Sequence, residues 1–309
     1  MKGVILAAGK WSRLFPLTHR IAKPLLPLAN RPTLHYAFDK LREIDITDVC
    51  IVVGENEAQM REALRDGSEL GMQLSYARQL EPKGLAHAVS FAKDYVDGDD
   101  FALLLGDSIF ESSFVPLRKR FDEAKPANLN LVMQVEDPRR FGVANLDGER
   151  ILKLVEKPEV PESNFAMAGV YFFDKTIWSV LPNLKPSARG EFEITDAIQL
   201  LIDEGHTVMA SELKGAWFDT GTLDSFLECN GWLIENGVKI GNGAIVQGAV
   251  GANVVVGDGA LVTCSSISDT VVLPKARVEC NGNISHSIIA GTISTENDII
   301  NLILDGLPN

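Results

Sequence analysis

Apolar and polar positions follow two rhythms along the first hundred residues. The runs KGVILAA (2–8), VCIVVG (49–54) and FALLLGD (101–107) are short and nearly unbroken apolar stretches, as expected of strands buried on both faces. LSYARQ (74–79) reads as a further strand of the same series. Between them, TLHYAFDKLREI (33–44) sets Leu34, Ala37, Phe38, Leu41 and Ile44 on one helical face, and 57–64 and GLAHAVSFAKDYV (84–96) also read as helices. Strands alternating with helices predict βαβ units. The expected fold class is therefore α/β, with a Rossmann-like, mixed or mostly parallel, doubly wound sheet. Ligands of such sheets sit outside the carboxyl ends of the strands, where the loop 8–13 and Asp107 fall.

The rhythm then changes twice. LNLVMQV (129–135), FGVANLD (141–147), ILKLVEKP (151–158) and AGVYFFD (168–174) predict strands with fewer helices between them. EITDAIQLLIDEG (193–205) predicts a helix closed by Gly205. From about Gly237, in KIGNGAIVQGAVGANVVVGDGALV, small and β-branched residues alternate with turn residues and helix signals vanish. Val-Gly recurs at 250 and 256, which points to hexapeptide repeats of a short left-handed β-helix, with an irregular β-rich cap as the alternative. The expected domains are 1–237 and 238–309, with the tail NLILDGLPN returning to pack on the body.

Composition narrows the functional classes. With 29 Lys and Arg against 42 Asp and Glu, the net charge is −13. Such a surface repels nucleic acid and anionic membrane, so neither is an expected partner. It does not repel small phosphate ligands locally, because Lys10, Arg13, His19, Arg20, Lys23 and Arg31 cluster near the start. No apolar run reaches the ~20 residues of a membrane helix, and Gly9-Lys10 interrupts the opening run, which reads as a strand and not as a signal peptide. Cys50, Cys229, Cys264 and Cys280 form no Cys-x-x-Cys pair, which disfavours zinc and disulfides and fits a reducing, cytoplasmic location.

Five segments carry candidate chemistry. AAGKWSRLFPLT (7–18) follows a strand, and its glycine lets backbone N–H groups approach a phosphate while Arg13 offers a two-pronged donor. It lacks the Walker spacing. In KPLLPLANRP (23–32) two prolines fix an extended path that holds Lys23. LLLGDS (103–108) delivers Asp107 from a buried strand, a suitable placement for a Mg²⁺ ligand. AWFDTGT (216–222) offers Asp219 as a second carboxylate, and VEKP (155–158) offers Glu156 for sugar hydroxyls and Lys157 for a monophosphate. Taken singly, each also fits a plain turn or a solvated charge.

As an ordered set these segments resemble the sugar-1-phosphate nucleotidyltransferases, and most closely the glucose-1-phosphate thymidylyltransferases. LAAGKWSRLFPLT and KPLLP are similar to that family's opening. QLEPKGLAHAV, LLLGDSIF, DPRRFGVANLD, LVEKPEVP, AGVYFFD, ARGEFEITDAI and WFDTGT follow in order, covering residues 1 to about 235. The resemblance implies a Mg²⁺-dependent enzyme joining dTTP or UTP to α-D-glucose 1-phosphate, with a uridylyltransferase acting on another hexose or N-acetylhexosamine 1-phosphate as an alternative. It places Ala8, Gly9 and Arg13 at the triphosphate, Lys23 at the reacting phosphates, and Gln79 and Gly84 at the base. It places Asp107 and Asp219 on the metal, and Gly142, Glu156, Lys157, Gly169 and Tyr171 around the sugar phosphate. It also implies a homo-oligomer. Trp11 departs from the family's second loop glycine, where an indole would crowd the triphosphate. That departure leaves a non-catalytic nucleotide-sugar sensor as the alternative, whereas an NAD enzyme would need a Gly-x-Gly-x-x-Gly that is absent.

Overall fold

The structure is a computed structural model, and it describes residues 1–9 and 12–306. The central sheet has nine strands: β1 (Lys2–Ala7), β2 (Asp48–Val53), β3 (Gln73–Arg78), β4 (Phe101–Leu105), β5 (Asn128–Gln134), β6 (Gly142–Asp147), β7 (Arg150–Glu156), β8 (Phe165–Phe173) and β9 (Val208–Glu212). Their order is β3-β2-β1-β4-β8-β5-β9-β7-β6. The first four are parallel, as the unbroken apolar runs predict. Beyond β4 the sheet is mainly antiparallel, through β8 on β4, β8 on β5, β9 on β7 and β7 on β6, and only β9 on β5 returns to parallel. Of the two arrangements expected, mixed or mostly parallel, the sheet is therefore the mixed one. Parallel pairing needs a long crossover, and the link between β6 and β7 is a tight turn at Gly148, φ +58°, which permits only a hairpin.

Helices α1 (Thr33–Arg42), α2 (Glu57–Leu64), α3 (Leu85–Ser90), α4 (Val115–Ala124), α5 (Ile194–Asp203) and α6 (Leu223–Leu233) complete the main elements. The helix expected over 84–96 breaks after Ser90, because Phe91 and Ala92 bond three residues back, to Ala88 and Val89, and tighten the turn. No helix among the described residues is long and apolar enough to cross a membrane. The sheet's core is aromatic at its centre, where Phe101 stacks on Phe173 and Trp178 at 5.3 and 5.2 Å.

After Val238 every strand pairing is parallel. Val238 pairs with Val254, Val254 with Thr270, and Thr270 with Ser287. The chain therefore returns onto itself every 15 to 17 residues, and Val254, Val256, Val262, Ile267, Val278, Ile284 and Ile289 fill the interior. The tail prolongs the same stack, with Ile303–Asp305 pairing with Ile288–Ala290, and it also returns to the early segment, where Arg20 pairs with Asp305 at 3.0 Å and donates to the Gly306 carbonyl at 3.3 Å.

The chain divides into two compact units along lines other than the boundary expected at 237. The first comprises Met1–Lys10 and Ala37–Trp217, and the second Trp11–Tyr36 and Phe218–Asn309. Hydrogen bonds explain why the early segment joins the second unit. Lys23–Leu25 is a short 3-10 turn, and Pro27–Leu28 and Arg31–Pro32 form a hairpin with Ala29 and Asn30 at φ +49° and +61°, which replaces the extended path expected of the prolines. The Ala29 N–H donates to the Asn230 side chain at 3.0 Å, and the Asn30 amide donates to the Val256 carbonyl at 2.9 Å. Asn230, fully buried, donates in turn to Asn253 at 2.9 Å, and Asn253 donates to the Leu227 carbonyl at 3.1 Å and to Asp269. A buried polar chain of this kind holds only when each member is satisfied, and it pins hairpin, α6 and coils into one body.

Candidate active site

The first unit carries most of the candidate residues at strand ends. β1 delivers Ala8, half-buried, and Gly9, exposed. Asn56, which the sequence reading missed, ties this exit to that of β2: its side-chain oxygen accepts from the Gly54 N–H at 3.0 Å and its amide donates to the Ala7 carbonyl at 3.2 Å. Gln79, buried just beyond β3, reaches the Gly84 carbonyl at 3.4 Å and His87 Nδ1 at 2.9 Å. With the amide in this orientation the imidazole accepts at Nδ1 and is neutral. Burial and then Lys83 hold its pKa below the usual value, consistent with that state. Gly84 has φ +106° and ψ 171°, and a Cβ there would lie 2.5 Å from the Phe192 carbonyl oxygen and 2.7 Å from its nitrogen. Only glycine fits.

β4 ends at Leu105, and Gly106 and Asp107 form the turn into a short buried strand, leaving the Asp107 carboxylate half-buried at its tip. The Gly106 N–H donates to the Leu6 carbonyl at 3.0 Å, which fixes that turn against β1. Gly169 interrupts the pairing of β8 with β5 between Met167 and Tyr171. Its φ is +80°, and a Cβ there would meet the Leu105 side chain at 2.9 Å, so the irregularity sits against the end of the strand that carries Asp107. Tyr171 is buried in the core and pairs with Leu103; burial first and then Glu156 push its pKa up.

Gly142 and Glu156 are partners in the β6–β7 ladder. Glu156 accepts from the Thr195 hydroxyl at 3.0 Å and forms ion pairs with Lys157 at 3.2 Å and Arg189 at 3.4 Å. Arg189 also pairs with Glu193 at 3.1 Å, and Ser187 donates to the same Glu193 oxygen. Burial, then the charge of Glu156, raises the pKa of both Glu193 and Asp196. Lys157 leaves the strand at φ +42°, and its N–H donates to the Phe141 carbonyl at 2.9 Å. A Cβ on Gly142 would sit 2.3 Å from the Thr195 methyl, so the missing side chain is what allows Thr195 to reach Glu156.

The second unit carries Arg13, Lys23 and Asp219. Arg13 Nη2 and Asp219 Oδ1 lie 2.6 and 3.0 Å from where a Gly221 Cβ would stand, which brings guanidinium and carboxylate together over a backbone without a side chain. Lys23 is 2% exposed, an unusual burial for a lysine. Trp11, with its expected crowding of the triphosphate, and Lys10 lie outside the described residues.

His87, Thr195, Arg189 and Glu193 were all within quoted motifs, GLAHAV and ARGEFEITDAI. Nothing in their spacing showed that the first faces Gln79 and the others surround Glu156.

Comparison with known proteins places this arrangement. The nucleotidyl transferase family model matches residues 2–235. The glucose-1-phosphate thymidylyltransferase of Streptomyces antibioticus is 40% identical over 276 residues, 88% of this chain and 78% of that protein. The low-salt glycan biosynthesis nucleotidyltransferase Agl11 of Haloferax volcanii is 40% identical over 238 residues, 76% of this chain and 67% of that protein. A Bacillus anthracis protein described as a glucose-1-phosphate thymidylyltransferase, crystallised with sucrose, superimposes with a TM-score of 0.70 at 38% identity, over 75% of this chain and 94% of that one. The strand-end carboxylate, the glycine-lined exits and this breadth of similarity lead to one conclusion: the chain belongs to the nucleotidyl transferase family and is an enzyme of the sugar-1-phosphate nucleotidyltransferase class.

Proposed function

We propose that this enzyme transfers a thymidylyl or uridylyl group from dTTP or UTP to α-D-glucose 1-phosphate, releasing pyrophosphate. The observation that carries the reading is the similarity to a glucose-1-phosphate thymidylyltransferase across 88% of this chain. A phosphate oxygen of the sugar 1-phosphate attacks the α-phosphorus in line. The bond from that phosphorus to the oxygen bridging to the β-phosphate breaks, and pyrophosphate leaves with its electron pair. The nucleophile is already anionic, so positioning and charge neutralisation supply the catalysis without a general base.

Asp107 and Asp219 are the proposed Mg²⁺ ligands. Hard carboxylate oxygens suit the ion, and the placement of Asp107 on a tight, half-buried turn fits the role. When bound, Mg²⁺ would neutralise charge on the phosphate oxygens. Arg13 and Lys23 hold the triphosphate with the backbone at Ala8 and Gly9. Gln79, oriented by the neutral His87, and the Gly84 backbone hold the base. Lys157 aims the sugar phosphate and Glu156 accepts from sugar hydroxyls, with Gly142 and Gly169 giving the room and Tyr171 backing the pocket. The parallel coils are proposed to be a short left-handed β-helix that serves assembly into a homo-oligomer, and the enzyme is proposed to work in the cytoplasm.

The test is pyrophosphate release with Mg²⁺, glucose 1-phosphate and dTTP, UTP, ATP, GTP or CTP in turn. Fast release with dTTP or UTP supports the reading and names the base. Silence with those two, or preference for a purine nucleotide, overturns it.

A further inference from the structure

Gln79 is buried at the exit of β3, where its main-chain N–H donates to the Val53 carbonyl at 2.9 Å. Its side-chain amide has two neighbours. The Gly84 carbonyl lies 3.4 Å from Nε2, and His87 Nδ1 lies 2.9 Å from the same atom. A carbonyl only accepts, so the nitrogen end of the amide must face Gly84. That carbonyl is itself held by the Ala88 N–H at 3.1 Å. With both N–H groups of Nε2 directed inward, Oε1 accepts from no group among the described residues. A buried amide oxygen placed so is satisfied by a donor from outside the protein.

The His87 ring is packed in place. It meets Phe91 edge-on at 5.0 Å and lies along Phe192 at 6.2 Å, and Phe192 is the residue whose backbone locks Gly84. What the ring can change is its proton. The charged groups facing it are Lys83 and Glu81, which pair with each other at 2.6 Å, while Phe91 and Phe192 bring no charge. Burial and Lys83 together outweigh Glu81 and favour the neutral ring. A proton on Nδ1 would set one N–H against another. The amide would then turn about its last torsion, bringing Oε1 to the ring, swinging Nε2 outward and giving up the Gly84 carbonyl.

We propose that His87 is a positioning residue for base selection: it fixes the Gln79 amide with its acceptor outward, so that the site takes a pyrimidine whose N3 carries a hydrogen, and it gives up that selection on taking a proton. The inference rests on the reading that Gln79 meets the base. Thymine and uracil carry the N3–H that Oε1 accepts. Cytosine has a lone pair at N3, which would face the lone pairs of Oε1. His87 thereby ranks dTTP and UTP above CTP without touching the base, and the ranking depends on pH.

The test is the initial rate of pyrophosphate release from dTTP, UTP and CTP, with Mg²⁺ and glucose 1-phosphate, from about pH 8 down to about pH 5. The wild type, His87→Leu and His87→Asn are compared. Leucine fills the space without an acceptor, whereas asparagine sets an amide oxygen near the place of Nδ1 and does not titrate. His87→Leu should raise the KM of the better of dTTP and UTP about 2–10-fold, the worth of one neutral hydrogen bond, and narrow its preference over CTP by a similar factor. The KM for glucose 1-phosphate should stay, and kcat should move less than the nucleotide KM. His87→Asn should recover most of both losses. In the wild type the nucleotide KM should be flat at neutral pH and climb once the pH falls below the ordinary 6.5, because the neutral ring is the form that orients Gln79. Phosphate protonation is common to all three proteins, so the wild-type profile divided by that of His87→Asn isolates the imidazole. An unmoved KM and CTP preference in His87→Leu, equal losses in both variants, or parallel pH profiles of wild type and His87→Asn would each overturn the inference and leave the proposed reaction standing. Silence of the wild type with both dTTP and UTP overturns the proposed reaction and this inference with it. Should His87→Leu fail to fold, the comparison of pH profiles decides with the conservative variant alone.

Discussion

Gly84→Ala tests whether the base-side loop is as tightly determined as the geometry says. The new Cβ would stand 2.5 Å from the Phe192 carbonyl oxygen and 2.7 Å from its nitrogen, both backbone atoms that cannot swing aside as a side-chain tip would. The contact is also structural, since the Ala86 N–H donates to that carbonyl at 3.0 Å and the Phe192 N–H donates to the Lys83 carbonyl at 2.8 Å. A residue at φ +106°, ψ 171° lies in a region essentially reserved for glycine, costing about 1–3 kcal/mol for alanine, and overpacking adds about 1–3 kcal/mol. The sum is ~2–6 kcal/mol. At an unfolding entropy of ~2.1 cal/mol/K per residue, it lowers the thermal midpoint by about 3–9 °C if the whole chain unfolds together. The same displacement moves Gln79 off the Gly84 carbonyl, so the KM for the nucleoside triphosphate should rise while the KM for glucose 1-phosphate stays. Differential scanning calorimetry and initial rates read both. A variant melting within a degree of the wild type would show that the Phe192 backbone yields freely and that the steric argument is wrong.

Three further outcomes are expected. Asp107→Ala should lose about 10²–10³-fold in kcat, as loss of preorganised charge does, with an unchanged melting temperature; near-normal turnover in the pyrophosphate assay would remove Asp107 from the metal. Thr195→Val deletes the 3.0 Å donor to Glu156 while Lys157 and Arg189 still hold that carboxylate, so the KM for glucose 1-phosphate should rise about fivefold with little change in kcat, and an unaltered KM would detach Thr195 from the site. His286 is held by Asp224 at 2.8 Å and by Asp269, which raise its pKa above the ordinary 6.5. A raised histidine pKa adds stability that is fully present below about 6.5 and fades as pH climbs through the folded value, so His286→Asn should cost about 1 kcal/mol at pH 5.5 and almost nothing at pH 9; a pH-independent loss of melting temperature would refute the linkage.

Much of the first unit was legible because burial on both faces leaves an unmistakable apolar run. β1, β2 and β4 appear within a residue or two of the segments predicted, and Asp107 falls at the strand end where the sequence places it. What stayed hidden depended on partners remote in sequence. α4 contributes only Leu117 and Phe121 to the core, too few for periodicity to announce a helix. Antiparallel pairing of β8 leaves the same apolar signature as parallel pairing. The environment of Glu156 needs Arg189 and Thr195, more than thirty residues away, and no local pattern joins them. Trp11, the one departure that argued for an inactive relative, lies outside the described residues.

The hydrogen-bonded chain from Ala29 through Asn230 and Asn253 to Asp269 has a consequence for anyone who would treat the coils as a detachable appendage. A truncation at 237 discards Asn253, leaving the fully buried Asn230 amide without its acceptor, and it removes the Val256 carbonyl that receives Asn30. The hairpin that follows Lys23 would lose its footing although none of its own residues had been touched. Shortening or exchanging this C-terminal region between relatives therefore amounts to editing residues 11–36 at a distance, and a graft should carry both segments together or neither.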